Sequence, residues 1–318
     1  MANIALEYKN VYKKFEGSDR YAVSDVSLQI EENDFVTILG TSGSGKTTLL
    51  KMVNRIYELT SGTIELFGEN IMDLDVNEYR RHIGYVIQQG GLFPHKTVED
   101  NIATVPKLLK WDEKMIKERT KELMELVQLD YETYRKRYPN SLSGGEQQRV
   151  GIARALAVKP RLMLMDEPFG AIDAITRSKL QQELLRLYEN VQNTILFVTH
   201  DVFEAILLGK KIIVMDDGKV QQYDTPYNIL LHPANEFVSR LVRSGDQFDK
   251  LRALSLEYLT EPANEEEIHD GIRIDGLKHL NEALLLMLQN DASHVIVIGD
   301  DGNVKGKIEM SALKQLLQ

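Results

Sequence analysis

"VTILGTSGSGKTTLLKMV", Val36 to Val53, changes texture twice within a few turns of chain. Val36–Gly40 is a short apolar run that reads as a buried strand. "TSGSG" turns the chain, and "KTTLLKMVNRI" carries the spacing of a helix. Gly40, Gly45, Lys46 and Thr47 match G-x-x-x-x-G-K-[ST] in the strand–loop–helix setting that this motif requires. Glycines let the backbone curl so that several N–H groups point at one phosphate, and the helix adds its positive N-terminal end. The pattern predicts that Gly40, Thr41, Ser42, Gly43, Ser44, Gly45, Lys46, Thr47 and Thr48 cradle the phosphates of a nucleotide. Lys46 is expected to reach the β- and γ-phosphates, and the Thr47 hydroxyl to bind Mg2+.

Two further apolar runs end in chemistry. "RLMLMDEP" places Asp166 and Glu167 directly after Leu162–Met165, as a buried parallel strand with carboxylates at its C-terminal end. Behind a phosphate loop, the first acid orders Mg2+ and the second accepts a hydrogen bond from the attacking water. "ILFVTHD" ends at His200, whose neutral imidazole is placed to hydrogen-bond the γ-phosphate. A fourth stretch is harder to place. "LSGGEQQ", Leu142 to Gln148, has the make-up of a second anion loop, opening a helix expected from Glu146 to Ala157. One ATP has no use for two cradles on one chain.

Helical and strand-like runs alternate along the 318 residues, an α/β pattern with room for one large domain and a small one. There is no cysteine, which excludes disulfides and thiolate metal sites. The N-terminus lacks the basic and apolar regions of a signal peptide, and no apolar run reaches membrane-spanning length. These features predict a chain on the cytoplasmic face of the membrane, attached through partners. Net charge is −10, and the 14 acidic and 7 basic residues after Gly245 supply most of it. That asymmetry sets an expected boundary near Gly245 and argues against nucleic acid as a partner.

With "VIQQ", "GAID" and "VTHD" added in order, residues 4 to 240 resemble the nucleotide-binding subunits of ATP-binding cassette (ABC) transporters. "LSGGEQQR" is the most specific element of that likeness. The resemblance implies an ABC-type P-loop ATPase domain over 1–245, with a helical subdomain at about 90–160. It also implies a head-to-tail homodimer, in which Ser143, Gly144 and Gly145 of one subunit cap the γ-phosphate held by the other subunit's Gly40–Thr48. Position by position, it places Phe15 on adenine (Tyr12 and Tyr21 being rivals) and Gln88, ahead of Gln89, on Mg2+ and at the transport coupling. Thr47 and Asp166 fall to the metal, and Asp173 to the dimer seam. Glu167, His200, Lys46 and Gln88 become the catalytic set, with ATP and Mg2+ as cofactors. Arg149 and Arg154 read as structural.

Ile83–Trp111 and "MVNRIYELTSGTIELFGENIMD" further resemble ATPases of importers for quaternary amine osmoprotectants such as glycine betaine, carnitine and choline. That likeness implies integral permease subunits and an extracytoplasmic substrate-binding protein or domain as partners. An importer of another solute such as an amino acid, an exporter, and a soluble non-transport ABC ATPase are the alternatives. At the C-terminus, 271–318 reads strand, helix, strand, turn, strand, helix, with "GDDGN" as the hairpin turn. It resembles a single cystathionine-β-synthase-type (CBS) motif, a small α+β unit, behind a linker at 246–270. Glu309 and Ala312 stand where nucleotide-binding relatives hold a ribose, which favours dimerisation or ionic-strength sensing over nucleotide binding.

Overall fold

The computed structural model describes residues 3–87, 91–170, 172–191, 193–243, 251–264, 267–268 and 271–316. By packing, the chain divides into two units, 1–200 with 215–220, and 201–214 with 221–318. Net charge had suggested a boundary near Gly245; the contacts draw it earlier and make it discontinuous.

The first unit holds two sheets. β1 (Ile4–Lys14), β2 (Tyr21–Glu31), β4 (Ser61–Leu66) and β5 (Glu69–Asn70) form an antiparallel sheet in the order β2-β1-β4-β5. β3 (Phe35–Gly40), β6 (Ile83–Val86), β7 (Leu162–Asp166) and β8 (Thr194–Thr199) pair in parallel in the order β3-β8-β7-β6. Every residue of β3, β7 and β8 is buried, as unbroken apolar runs require when both faces of a strand are covered. Parallel register puts the ends of these strands on one edge. Gly40, Asp166 and Thr199 therefore close the C-terminal edge together, where open α/β sheets bind ligands.

Among the described residues between β6 and β7 the regular structure is helical. The segments are Val98–Ile102, Thr104–Leu108, Glu113–Leu126, Tyr131–Tyr134 and Gly144–Ala155. Asp112 caps the third of them through Lys114 N–H at 2.9 Å. The last starts two residues before the expected Glu146. Ser143 is its N-cap, and Ser143 and Glu146 form a reciprocal capping box, so both glycines are already helical.

In the second unit, strands Ile272–Asp275, His294–Ile298 and Val304–Glu309 form a sheet in chain order, the first pair parallel and the second antiparallel. Helices Leu280–Gln289 and Met310–Leu316 complete the expected alternation. The linker expected at 246–270 is corrected over its described part. Leu251, Leu254, Leu256 and Leu259 are buried. Glu261 exchanges backbone hydrogen bonds with Lys307 at 2.8 and 2.7 Å. Four buried leucines are not linker chemistry, and the Leu256–Leu259 turn lies against the strand Val304–Glu309, part of a sheet too small to bury its own face. Glu309 shares Lys307 with Glu267, at 2.7 and 2.6 Å, and the ammonium holds its carboxyl below the usual range while the pair of carboxylates keeps a net negative charge there.

Candidate nucleotide site

The Gly40–Thr48 loop is shaped by what glycine alone permits. A Cβ on Gly40 would stand 2.2 Å from the Met215 carbonyl oxygen. Gly45, at φ 100, would put one 2.3 Å from the Ala22 carbonyl. Gly45 is also the N-cap of the Lys46–Val53 helix. Gly40→Ala should therefore destabilise the fold by about 1–3 kcal/mol, read as a lower denaturant midpoint, because the clash is with backbone that has nowhere to go. Thr41, Ser42 and Gly43 are exposed at the tip, whereas Ser44 and Lys46 are buried.

Lys46 folds back over the loop. Its ammonium donates to the carbonyls of Gly40 at 2.9 Å and Thr41 at 2.8 Å. Burial pushes its pKa down, and the carboxylates of Glu167 and Asp166 oppose that shift. Thr47 Oγ1 donates to Asp166 Oδ1 at 2.8 Å, joining the first helical turn to the end of β7. Lys51 Nζ lies 3.8 Å from the other oxygen of the same carboxylate. The sequence reading missed Lys51, yet it stands four residues after Thr47 and so on the same helix face.

Glu167 leaves β7 with a left-handed backbone, φ 44, which is uncommon for a side chain of its size. Its N–H still donates to Val198 O at 3.1 Å, and Gly170 N–H donates to its carbonyl at 3.2 Å. The turn sends its carboxylate to within 3.2 Å of His200 Nδ1. So the structure brings Lys46, Thr47, Asp166, Glu167 and His200 together at one sheet edge.

The Ser143 loop lies elsewhere. Glu146 N–H donates to Ser143 Oγ at 3.3 Å, and Ser143 N–H donates to Glu146 Oε2 at 2.7 Å. Tyr134 O–H fixes the other Glu146 oxygen at 2.7 Å. Gly145 is buried, with room for no Cβ beside Thr176 (2.8 Å), while Gly144 is open to solvent. Among the described residues, no hydrogen bond or ion pair joins Ser143–Gly145 to Gly40–Thr48. Asp173 caps the Ala174–Val191 helix through Thr176 N–H at 3.0 Å, and these bonds hold its carboxyl below the usual range. Arg154 sits under burial with its guanidinium on Gly91 O, and Arg149 pairs with Glu183 at 3.2 Å, the structural roles expected of both.

Phe15 is 38% exposed, with Lys13 Nζ 4.9 Å above its ring and Tyr57 edge-on at 5.1 Å. Its rivals Tyr12 and Tyr21 meet edge to face, their centroids 5.6 Å apart. Gln88 and Gln89 lie outside the described residues.

The oxygen pair Thr47–Asp166 suits a small hard cation such as Mg2+. Among the described residues, no cluster of three or more His, Asp or Glu forms a cage for a metal. A cation here would thus complete its shell with phosphate oxygens and water, the usual habit of Mg2+.

Residues 23–170 match the ABC transporter family. The choline transport ATP-binding protein OpuBA of Bacillus subtilis is 44% identical over 310 residues, 98% of this chain and 80% of that protein. The chain belongs to the ABC transporter family. The glycine betaine uptake system ATP-binding protein YehX of Escherichia coli is 44% identical over 308 residues, 97% of this chain and 98% of that one. A dimeric bacterial ABC transporter cassette has the same fold at TM-score 0.63 and 37% identity, over 70% of this chain and 98% of that chain. The same cassette in a post-hydrolysis dimer bound to ADP and phosphate gives TM-score 0.63 at 36% identity. The expected α/β ABC fold, ATP binding and ATPase class hold. No helix among the described residues is long and apolar enough to cross a membrane, so this subunit of a membrane transporter carries no such span there.

Proposed function

We propose that this chain hydrolyses ATP to drive an importer of quaternary amine osmoprotectants, with choline, glycine betaine and carnitine as the cargo class. One contrast carries the reading. Relatives named for transport of choline, glycine betaine, carnitine and trimethylamine N-oxide match 93–98% of this chain. The spermidine/putrescine import protein of Clostridium novyi matches 78% of it. The likeness to methylated-amine systems thus runs on into the C-terminal sheet. The test is uptake of labelled choline, glycine betaine and carnitine by vesicles holding the chain with its permease. ATP-dependent uptake of at least one is expected. Failure of all three, with transport of an unrelated solute, sinks the cargo assignment.

The chemistry is assigned to the residues gathered at the sheet edge. Lys46 leaves its two carbonyl partners for the β- and γ-phosphates, a move that relieves its buried charge. Thr47 and Asp166 would hold Mg2+, which when bound would neutralise charge on the phosphates. The Glu167 carboxylate orients the attacking water and accepts its proton as the water oxygen bonds to the γ-phosphorus and the bond from that phosphorus to the ADP oxygen breaks, releasing ADP and phosphate. His200 refines the sequence reading. A neutral imidazole that donates Nδ1–H to Glu167 has only an acceptor left at Nε2. Donation to phosphate then requires either a second proton or release from Glu167. We assign the Glu167–His200 contact to the nucleotide-free state and its exchange to ATP binding.

The same reading assigns Phe15 to the adenine ring. Two copies of the chain close head to tail on two ATP molecules, with Ser143, Gly144 and Gly145 of one facing Lys46 of the other and Asp173 at the seam. Ser143 and Gly144, both exposed at the helix N-terminus, suit a phosphate arriving from another chain. Gln88 is assigned to Mg2+ and to the permease from its place in the sequence. The subunit sits on the cytoplasmic face of the membrane, bound to permease subunits that receive cargo from an extracytoplasmic binding protein or domain.

A further inference from the structure

The parallel sheet has a second edge. Where its C-terminal edge carries the nucleotide residues, its N-terminal edge opens into a cavity of about 440 Å³. The segments that start the strands wall it: Asn33 before β3, Lys159 to Arg161 before β7, and Asn193 and Thr194 at the start of β8. Arg119 reaches in from the helical stretch. Five- and six-residue strands put this space roughly 15–20 Å from Asp166 and Glu167.

Asn193 is the residue without an explanation. It is 3% exposed, yet among the described residues neither its Oδ1 nor its Nδ2 has a hydrogen-bond partner. Leaving a buried amide unpaired at both ends would cost a few kcal/mol, so Asn193 offers its donor and its acceptor together to whatever enters the cavity. The charges around it are unevenly matched. Arg119 is consumed by Glu122 at 2.6 Å and by the carbonyls of Leu156 and Ala157 at 2.9 and 3.3 Å. Arg161, its side chain largely exposed, lies over the Phe67 ring, 3.5 Å from its centroid, and among the described residues pairs through Nη2 with Glu32 at 3.1 Å. Among the described residues its other donors meet no hydrogen-bond or ion-pair partner. Lys159, exposed and fixed at φ 53, has no ion-pair partner among the described residues. The cavity therefore carries a net positive charge with a neutral donor–acceptor at its buried wall.

We propose that this cavity binds a small organic carboxylate bearing a hydroxyl or amide. The carboxylate meets Lys159 and the open guanidinium edge of Arg161, and the second group answers Asn193. A cationic amine does not suit the site, because the one aromatic face here, Phe67, is already covered by Arg161.

The probe is malate, with succinate as the analogue that lacks the hydroxyl. Both are titrated calorimetrically into the full-length chain with saturating ADP present, so that the Gly40–Thr48 anion loop is occupied. Saturable malate binding is expected, tighter than succinate by about tenfold or more for the hydroxyl pairing. Asn193→Leu should erase that preference. Lys159→Gln, on the surface and harmless to folding, should weaken both ligands by about tenfold or more. Absence of saturable malate binding overturns the proposal. So does binding that survives Lys159→Gln, or equal affinity for malate and succinate in the unmodified chain, since buried water alone would then satisfy Asn193.

Discussion

Glu167→Gln should cut ATP turnover by roughly a thousandfold, about 4 kcal/mol of barrier, while leaving ATP affinity within a few-fold. The substitution keeps the side chain's length and its hydrogen-bonding shape. The backbone that aims it does not depend on the carboxylate: its left-handed φ of 44 is fixed by bonds from its N–H to Val198 and from Gly170 to its carbonyl. What disappears is the proton acceptor and one of the two charges that oppose the burial of Lys46. Turnover should fall because no base remains beside the water. Affinity should hold because Lys46, Thr47 and the loop N–H groups are untouched, and the loss of hydrolysis should trap a dimer with ATP. The measurement is steady-state phosphate release alongside equilibrium nucleotide binding. Turnover within tenfold of the unmodified chain would remove Glu167 from the role of base. His200→Ala separates the two partners: it should leave Glu167 in place and slow turnover through loss of phosphate contact, with ATP affinity falling as well.

The strands that carry the site were legible because burial on both faces forces continuous apolar runs, and β3, β7 and β8 consist of little else. Chemistry at the end of such a run is legible too, since Asp166, Glu167 and His200 each follow one directly. Side-chain pairings were not. That Thr47 bonds Asp166, or that His200 touches Glu167, depends on which strands are neighbours, and the order β3-β8-β7-β6 differs from the chain order. Helix ends were blurred for a different reason. Glycine is a poor helix former, so "LSGGEQQ" suggested a start at Glu146; the Ser143–Glu146 capping box outweighs that propensity and draws both glycines into the first turn. The acidic run "EPANEEE" led 246–270 to read as linker, and its weight of charge hid four leucines just ahead of it that are buried.

Mixing two inactive chains should restore activity, and that outcome bears most directly on the homodimer. Lys46→Ala removes the cation that meets the phosphates, so a dimer of such chains has two dead sites. Ser143→Arg removes a helix cap, at a cost of about 1 kcal/mol, and places a bulky guanidinium on the face offered to the other chain. Its homodimer should be equally silent, although Lys46 and Glu167 are intact in every copy. In a mixed dimer the two lesions fall in the same composite site: Lys46→Ala on one side faces Ser143→Arg on the other. The second site then draws Lys46 from the Ser143→Arg chain and Ser143 from the Lys46→Ala chain, and is whole. Random pairing puts about half of the dimers in this class with one good site each, so turnover should recover to roughly a quarter of the unmodified level. A cassette that hydrolyses ATP within single chains predicts the reverse, with Ser143→Arg active alone and no gain on mixing. The separation of Ser143–Gly145 from Gly40–Thr48 in the hydrogen-bond network favours the first outcome. A helix N-terminus with an exposed Gly144 and a fully satisfied Glu146 behind it is complete as a structural cap, yet has no phosphate of its own to meet.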